Sequence, residues 1–174
     1  GLPLPGRELR IVDGEVWLRS DSMAAGYWRG GQTIPLTNAD GWFATRDRGR
    51  LDNGRLTILG RMDNLFFSGG EGIQPEEVER VIGAHPLIEQ VFIVPQDDAE
   101  FGQRPVAVVE CRDHGDPSVL ADWCADKLAR FQQPVRWLRL PESLKTGGIK
   151  ISRRALRDWV NQQQSSASDA LDVQ

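Results

Sequence analysis

Two dipeptides limit what the first third of this sequence can fold into. Asp13-Gly14 and Asn53-Gly54 each stand between short apolar segments, and both dipeptides tolerate positive φ angles. Such dipeptides favour the tight turns of antiparallel β-hairpins. The first 60 residues are therefore predicted to be rich in β structure, with strands at residues 9–12, 15–18, 50–51 and 55–59.

Beyond residue 63 the pattern changes to alternating helices and strands. Pro75 suits the first turn of a helix, because two glutamates follow it at the positive end of the helix dipole. Residues 116–118 offer a cap for a second helix, and Ser152 offers one for a third. Three apolar segments between these helices predict strands, at residues 88–94, 106–110 and 135–140. The expected fold class is α+β, with a short three-stranded sheet flanked by helices.

These patterns divide the chain into three predicted parts. Residues 1–62 form a β-rich part, residues 63–163 a small α+β domain, and residues 164–174 a polar tail that we expect to be disordered. The opening residues 1–6 include no start methionine and no obvious cap or core of their own. We therefore expect the sequence to be a piece of a longer chain that enters in the middle of a fold.

Charge and composition exclude several classes of protein. The 174 residues contain 21 Lys and Arg against 25 Asp and Glu, and the basic residues are scattered except for three on the last predicted helix. We interpret that group, Arg153, Arg154 and Arg157, as a solvated helix surface, and nucleic acid is an unsuitable partner. No apolar stretch approaches the roughly 20 residues of a membrane span, and no signal peptide opens the chain. The sequence predicts a cytoplasmic protein without a membrane partner.

The two cysteines, Cys111 and Cys124, fall in a predicted strand and a predicted helix, without Cys-x-x-Cys spacing. Buried structural thiols in a reducing compartment explain them better than a zinc site. We therefore predict no metal-ligating residues.

The most informative segment is residues 144–153, which is rich in glycine and carries Lys150 just before the last predicted helix. A flexible loop with one ammonium group can place a cation on a substrate anion for one step and withdraw it for the next.

Together with residues 41–47, 60–64 and 68–79, this segment resembles the core motifs of the adenylate-forming superfamily, in order and approximate spacing. That superfamily includes acyl-CoA synthetases and the adenylation domains of peptide synthetases. Within it, residues 68–79 are more similar to acyl-CoA ligases. The resemblance covers nearly the whole chain and implies the C-terminal portion of such an enzyme: the end of its large domain, followed by its mobile lid domain.

The resemblance implies an activity of two steps. A carboxylic acid and ATP, with Mg²⁺, form an acyl-adenylate, and coenzyme A then displaces AMP to give a thioester. The implied partners are these small molecules, and homo-oligomer formation is left open. The implied roles are catalysis for Lys150, nucleotide binding for Asp47 and Arg61, the hinge for Asp63, and close passage of coenzyme A for Gly69 and Gly70.

Some residues depart from the family pattern. Arg46 and Ile149 stand where glycine is usual, and Gly72 replaces a frequent basic residue. The first departure bears on the turn that would hold Asp47. No phosphate loop and no acyl-pocket segment are found, so we expect this chain alone to be inactive in adenylation.

Simpler interpretations remain beside the functional ones. Asp47 could stabilise a turn, Arg61 and Asp63 could form an exposed ion pair that contributes little free energy, and Gly69-Gly70 could be a turn only.

Two alternative functions stay open. One is an adenylation domain that loads a carrier protein, which is disfavoured because no carrier segment follows residue 163. The other is a non-catalytic module that binds a nucleotide or a protein partner.

Overall fold

The structure, a computed structural model, describes residues 1–145 and 151–169 and divides into two units, Gly1–Asn64 and Leu65–Gln174. Strands dominate the first unit, whereas the second combines strands with helices. The predicted α+β fold class is confirmed. The unit boundary lies two residues beyond the boundary expected from the sequence.

In the first unit, four strands form an antiparallel sheet in the order β1-β2-β5-β6, and β3 and β4 form a separate hairpin. At the two predicted turns Asp13 and Asn53 have φ angles of 50° and 49°, and each is followed by a glycine at positive φ. Both predicted hairpins are therefore confirmed. The strands are β1 (Arg7–Val12), β2 (Glu15–Ser20), β3 (Gly26–Arg29), β4 (Gln32–Pro35), β5 (Phe43–Asp52) and β6 (Arg55–Arg61).

The second unit contains a small hairpin, β7-β8, and a three-stranded sheet in the order β11-β10-β9. In that sheet β9 and β10 are antiparallel, while β10 and β11 are parallel. The elements are β7 (Phe66–Ser68), β8 (Glu71–Ile73), α1 (Pro75–Gly83), β9 (Ile88–Asp98), β10 (Gly102–Cys111), α2 (Leu120–Ala125), β11 (Arg136–Arg139) and α3 (Arg153–Asp169).

The three-stranded sheet is buried on both faces. Ile93 and Ala107 pack with residues of α1 and α2, whereas Val94 and Val106 pack with residues of α3. Successive residues of a strand point to opposite faces, so a strand that is covered on both sides is apolar at every position. This explains the continuous apolar run at residues 106–109, which is 0–1% exposed.

Both long strands extend beyond the predicted bounds, through Pro95 in β9 and Pro105 in β10. The two prolines face each other across the sheet. An antiparallel ladder accommodates opposed prolines at a non-hydrogen-bonded pair, because the residues there send no N–H toward each other. The sequence analysis predicted a strand that ends just before Pro95 and another that begins just after Pro105. Both predicted strands were therefore too short.

Helix ends agree with the sequence in part. Ser152 caps α3 as predicted, since its Oγ accepts a hydrogen bond from the backbone N of Ala155 at 3.4 Å. The predicted cap at residues 116–118 is wrong, because α2 begins only at Leu120 and Val119 precedes it without a side-chain cap. The last helix continues to Asp169, beyond the start of the predicted tail, and residues 170–174 lie outside the described part.

Ile82 of α1 is fully buried where the helix covers the sheet. Shortening its side chain should therefore lower the stability of the fold, and the loss should grow with the number of methyl groups removed. Ile82→Val should lower the free energy of unfolding by about 0.5–1.5 kcal/mol and Ile82→Ala by about 2–5 kcal/mol, because each removes buried methyl groups and leaves a cavity. Urea denaturation followed by circular dichroism measures this. Val119→Ala is the control, since Val119 is 52% exposed, and its effect should stay within about 0.5 kcal/mol. Equal shifts for Val119→Ala and Ile82→Ala would contradict the assignment.

Candidate functional site

Asp47 and Arg61 face each other across β5 and β6. The Arg61 guanidinium donates to Asp47 Oδ1 at 2.9 Å and to the Thr45 carbonyl oxygen at 3.1 Å. Thr45 fixes the strand in turn, because its Oγ1 donates to the Val16 carbonyl oxygen and accepts from the Asp47 backbone N. The structure thus brings together the two residues expected to bind a nucleotide.

The neighbouring residue Arg46 has a φ angle of 63°, in the left-handed region that glycine adopts most easily. Its backbone N donates to Glu15 Oε1 at 2.8 Å, which ties this irregular point of β5 to β2. Arginine therefore adopts, within strand β5, a backbone conformation that glycine adopts more easily.

Asp63 lies in a single 3-10 turn, Met62–Asn64. Its Oδ1 accepts a hydrogen bond from the Arg46 guanidinium at 2.5 Å, and this bond raises the pKa of Arg46. Both side chains are more than half exposed, so the pair is of the weak surface kind. The partner of Asp63 at this point is Arg46, while Arg61 pairs with Asp47.

Gly69 and Gly70 form the two-residue turn between β7 and β8, with φ angles of 57° and 88°. The two glycines have different surroundings. Gly69 donates its backbone N–H to the Phe101 carbonyl oxygen at 2.9 Å, and a Cβ there would lie 3.0 Å from the Phe101 ring. A Cβ on Gly70 would meet no atom within 4 Å. Gly70 is therefore the position where a ligand could approach the bare backbone.

A cavity of about 530 Å³ lies beside this turn. The Arg104 guanidinium stacks over the Phe101 ring at 4.8 Å, and Arg130 lines the cavity as well. Two guanidinium groups and aromatic surface suit an anionic ligand with a flat or apolar part. The lining residues are Ser68, Gly69, Glu71, Phe101, Arg104, Arg130 and Phe131.

Lys150 and Ile149 lie outside the described residues, in the interval 146–150. Arg153, three residues later, makes a two-pronged ion pair with Glu79 of α1 at 2.6 and 2.7 Å. Its side chain is only 27% exposed. The interpretation of Arg153 as part of a solvated surface is therefore wrong, whereas Arg154 and Arg157 are exposed as expected.

Sequence analysis did not identify Arg104, Arg130 or the partner of Arg153 as functional or structural partners. Arg104 and Arg130 stand alone in unremarkable contexts, and only the fold gathers them. Glu79 and Arg153 are 74 residues apart, so no local spacing connects them. The signal available in the sequence was Glu79 itself, a charged residue that directly follows Val78 on the buried side of α1 and so indicates a partner of opposite charge.

Of the two cysteines predicted to be buried, Cys124 is buried and Cys111 is only partly buried. Cys124 is buried, and burial raises the pKa of its thiol to about 11, which keeps it protonated at neutral pH. Among the described residues, no group of three His, Cys, Asp or Glu side chains is arranged to hold a metal ion. No helix in the described ranges is both long and apolar enough to cross a membrane.

Known proteins match both units of this chain. Residues 77–150 match the family of AMP-binding enzyme C-terminal domains. A 2-succinylbenzoate–CoA ligase of Salmonella typhimurium is 72% identical over 92% of this chain and 35% of its own length. The Escherichia coli protein of the same name is 69% identical over 94% of this chain and 36% of its own length.

A solved structure of a variant of E. coli MenE with bound OSB-AMS matches with a TM-score of 0.83 and 68% identity. The match covers 94% of this chain and 36% of that one. This chain therefore spans about a third of the length of the relatives that it matches. By the family match, residues 77–150 belong to the AMP-binding enzyme C-terminal domains, and the chain is similar along nearly its whole length to 2-succinylbenzoate–CoA ligases.

Proposed function

We propose that this chain is the C-terminal part of an ATP-dependent, AMP-forming acyl-CoA ligase whose acid substrate is 2-succinylbenzoate. The observation that carries the proposal is the identity of 72% and 69%, along nearly the whole chain, to two proteins named 2-succinylbenzoate–CoA ligase. The reaction belongs to menaquinone biosynthesis in the cytoplasm, and MgATP, the acid and coenzyme A are its substrates. Relatives named CoA ligases favour coenzyme A over a carrier protein as the acyl acceptor.

In the first step a carboxylate oxygen of the acid attacks the α-phosphorus of ATP. The bond from that phosphorus to the oxygen bridging to the β-phosphate breaks, and pyrophosphate leaves. Negative charge gathers between the carboxylate and the phosphate, where a cation stabilises the transition state. Lys150 supplies this cation in the proposed mechanism.

Asp47 binds the ribose of the nucleotide in this proposal. Two adjacent ribose hydroxyls need two acceptor oxygens at a fixed spacing, which one carboxylate provides. The Arg61 contact at 2.9 Å and the hydrogen bond from the Asp47 backbone N to Thr45 Oγ1 support the role, because they restrict the orientation of the carboxylate before ligand arrives. The positive Arg61 side chain also suits an anionic nucleotide.

In the second step the thiolate sulfur of coenzyme A attacks the acyl carbon, and the bond from that carbon to the AMP oxygen breaks. The open backbone at Gly70 supports a close approach of the pantetheine arm. The adjacent cavity with Arg104 and Arg130 supports binding of the phosphate-bearing end of the same molecule. Asp63 serves as the hinge between the parts 1–62 and 63–163, a role supported by the unit boundary next to it.

Replacing Asp47 tests the ribose contact. In the full-length enzyme Asp47→Ala should raise the KM for ATP about 5- to 150-fold, because hydroxyl donors left without acceptors cost about 1–3 kcal/mol. Steady-state kinetics at saturating acid measures this. Asp52→Ala is the matched control, since Asp52 is an exposed carboxylate at the end of the same strand, paired with Arg50. An unchanged KM for ATP would reject the role of Asp47.

Two substitutions at Asp63 separate the hinge from the ion pair. Asp63→Pro removes the Arg46 contact and also restricts the backbone torsions, whereas Asp63→Ala removes only the contact. We expect Asp63→Pro to spare adenylate formation and to slow thioester formation strongly, while Asp63→Ala leaves both steps nearly unchanged. Single-turnover assays of each half-reaction measure this. Equal effects of the two substitutions would contradict the hinge role.

The arginine-lined cavity predicts a defect confined to the second step. Arg104→Gln should raise the KM for coenzyme A about 10- to 150-fold, because a hydrogen bond to a charged group contributes about 1.5–3 kcal/mol. Adenylate formation should keep its rate. Arg154→Gln, at an exposed arginine of the same unit, is the control. If Arg104→Gln slows adenylate formation and leaves the KM for coenzyme A unchanged, the cavity does not bind coenzyme A.

A further inference from the structure

We propose that Glu15 is a positioning residue for nucleotide binding, because its carboxylate fixes the bulged part of β5 that carries Asp47. The role rests on the proposed contact between Asp47 and the ribose. It involves the first unit alone, residues 1–64. Glu15 lies outside the four segments that resemble the family motifs, so the resemblance assigns it no role.

The ladder between β2 and β5 is interrupted at the candidate nucleotide-binding carboxylate. Glu15 pairs with Arg48, and Trp17 pairs with Ala44. One residue of β2 therefore lies opposite three residues of β5, residues 45–47. A bulge of this kind leaves some backbone groups without ladder partners, and it changes the direction of the side chains that it carries. The groups that hold the bulge therefore decide where these side chains point.

Two side chains accept backbone N–H groups of the bulge. Glu15 Oε1 accepts from the Arg46 N at 2.8 Å, and Thr45 Oγ1 accepts from the Asp47 N at 3.1 Å while donating to the Val16 carbonyl oxygen. Arg46 has a φ angle of 63°, which is unfavourable for a residue with a Cβ. A hydrogen bond to a charged acceptor is stronger than one to a neutral acceptor, so Glu15 stabilises the bulge at its most strained residue.

A second donor fixes the Glu15 carboxylate itself. The Trp17 indole Nε1 donates to Glu15 Oε2 at 3.2 Å, so each oxygen of the half-buried carboxylate accepts a hydrogen bond. The Trp17 ring is held in turn, because the Arg10 guanidinium stacks over it at 5.0 Å and over the Trp42 ring at 4.1 Å. Glu15 is therefore oriented toward Arg46 by contacts within the protein, before a nucleotide binds.

The charge of Glu15 favours an indirect role. A carboxylate repels the phosphates of a nucleotide, so a direct contact with them would weaken binding. The side chain of Arg46 is a less effective tie for the bulge, because its ion pair with Asp63 is more than half exposed. The bond from the Arg46 backbone to Glu15 is thus the contact through which the orientation of Asp47 is set.

The test uses the full-length enzyme with ATP and with dideoxy-ATP, which lacks both ribose hydroxyls. The ratio of the two kcat/KM values measures the ribose contact, whereas general damage to the fold lowers both values alike. In the wild type this ratio should be about 10 to 150, the range for hydrogen bonds to a charged group. Glu15→Ala should lower kcat/KM for ATP at least about fivefold. It should change kcat/KM for dideoxy-ATP less than about twofold, the scatter of independent effects.

Two further variants sharpen this test. Glu15→Gln keeps an oxygen that can accept from the Arg46 N but loses the acceptor for Trp17, so its ratio should lie between those of the wild type and Glu15→Ala. Glu8→Ala is the matched control, because Glu8 of β1 joins the same strand β2 through a two-pronged pair with Arg19, at 2.9 and 2.6 Å, outside the bulge. This control should leave both kcat/KM values unchanged.

A double substitution shows whether Glu15 acts through Asp47. In an Asp47→Ala background, Glu15→Ala should lower kcat/KM for ATP by less than about twofold further, because the group being positioned is already gone. Full additivity of the two substitutions would overturn the positioning role.

Other results separate the failure of this role from the failure of the proposed function. Equal losses with ATP and dideoxy-ATP in Glu15→Ala would show a structural role only. Normal kcat/KM values in Glu15→Ala, with Asp47→Ala impaired, would reject the role of Glu15 and leave the ribose contact intact. A wild-type ratio near one would reject the ribose contact and the role of Glu15 together. If Glu15→Ala does not fold, Glu15→Met keeps the side-chain length without an oxygen acceptor and should show the same selective loss, and equal losses there would overturn the role.

Discussion

The burial of the three-stranded sheet on both faces is the constraint on which the second unit depends. Residues 106–109 have no polar position to offer to water, so helices must cover both faces. Cover by α1 and α2 on one side places Glu79 at the edge of the sheet beside β9, and cover by α3 on the other brings Arg153 to the same strand. The ion pair is therefore a consequence of the layering, and it closes over the backbone of Ile93.

In the first unit, the register of the β5-β6 hairpin is the constraint that positions the candidate site residues. Pairing of β5 with β6 sets Asp47 opposite Arg61, and a shift of one residue would place the two side chains on opposite faces. The left-handed conformation of Arg46 and its bond to Glu15 of β2 lie just before this pair, at an irregular point of the ladder between β2 and β5. Local backbone geometry thus decides the direction of the Asp47 carboxylate.

The sequence predicted most of what depends on local chemistry, although the helix cap at residues 116–118 was wrong. Asp13-Gly14, Asn53-Gly54 and the Ser152 cap each act within a few residues, and the structure confirms all three. The extension of the long strands through opposed prolines depends on pairing between distant residues, and it was missed. Among the site residues, Asp47, Arg61 and the glycine turn came from motif resemblance. The cavity arginines and the Glu79–Arg153 pair were out of reach, because only tertiary packing brings them together.

Two ion pairs, Glu79–Arg153 and Glu110–Lys145, join parts of the second unit that are distant in sequence. Three carboxylates, Glu79, Glu110 and Glu142, face the two cations Arg153 and Lys145, so these five groups together carry one negative charge in excess. Both cations are therefore engaged by carboxylates, and the hydrogen bonds to Glu110 and Glu142 raise the pKa of Lys145 to about 12. Arg153 and Lys145 thus hold the fold together through carboxylates of other elements, whereas the catalytic role proposed for Lys150 rests on the motif resemblance alone.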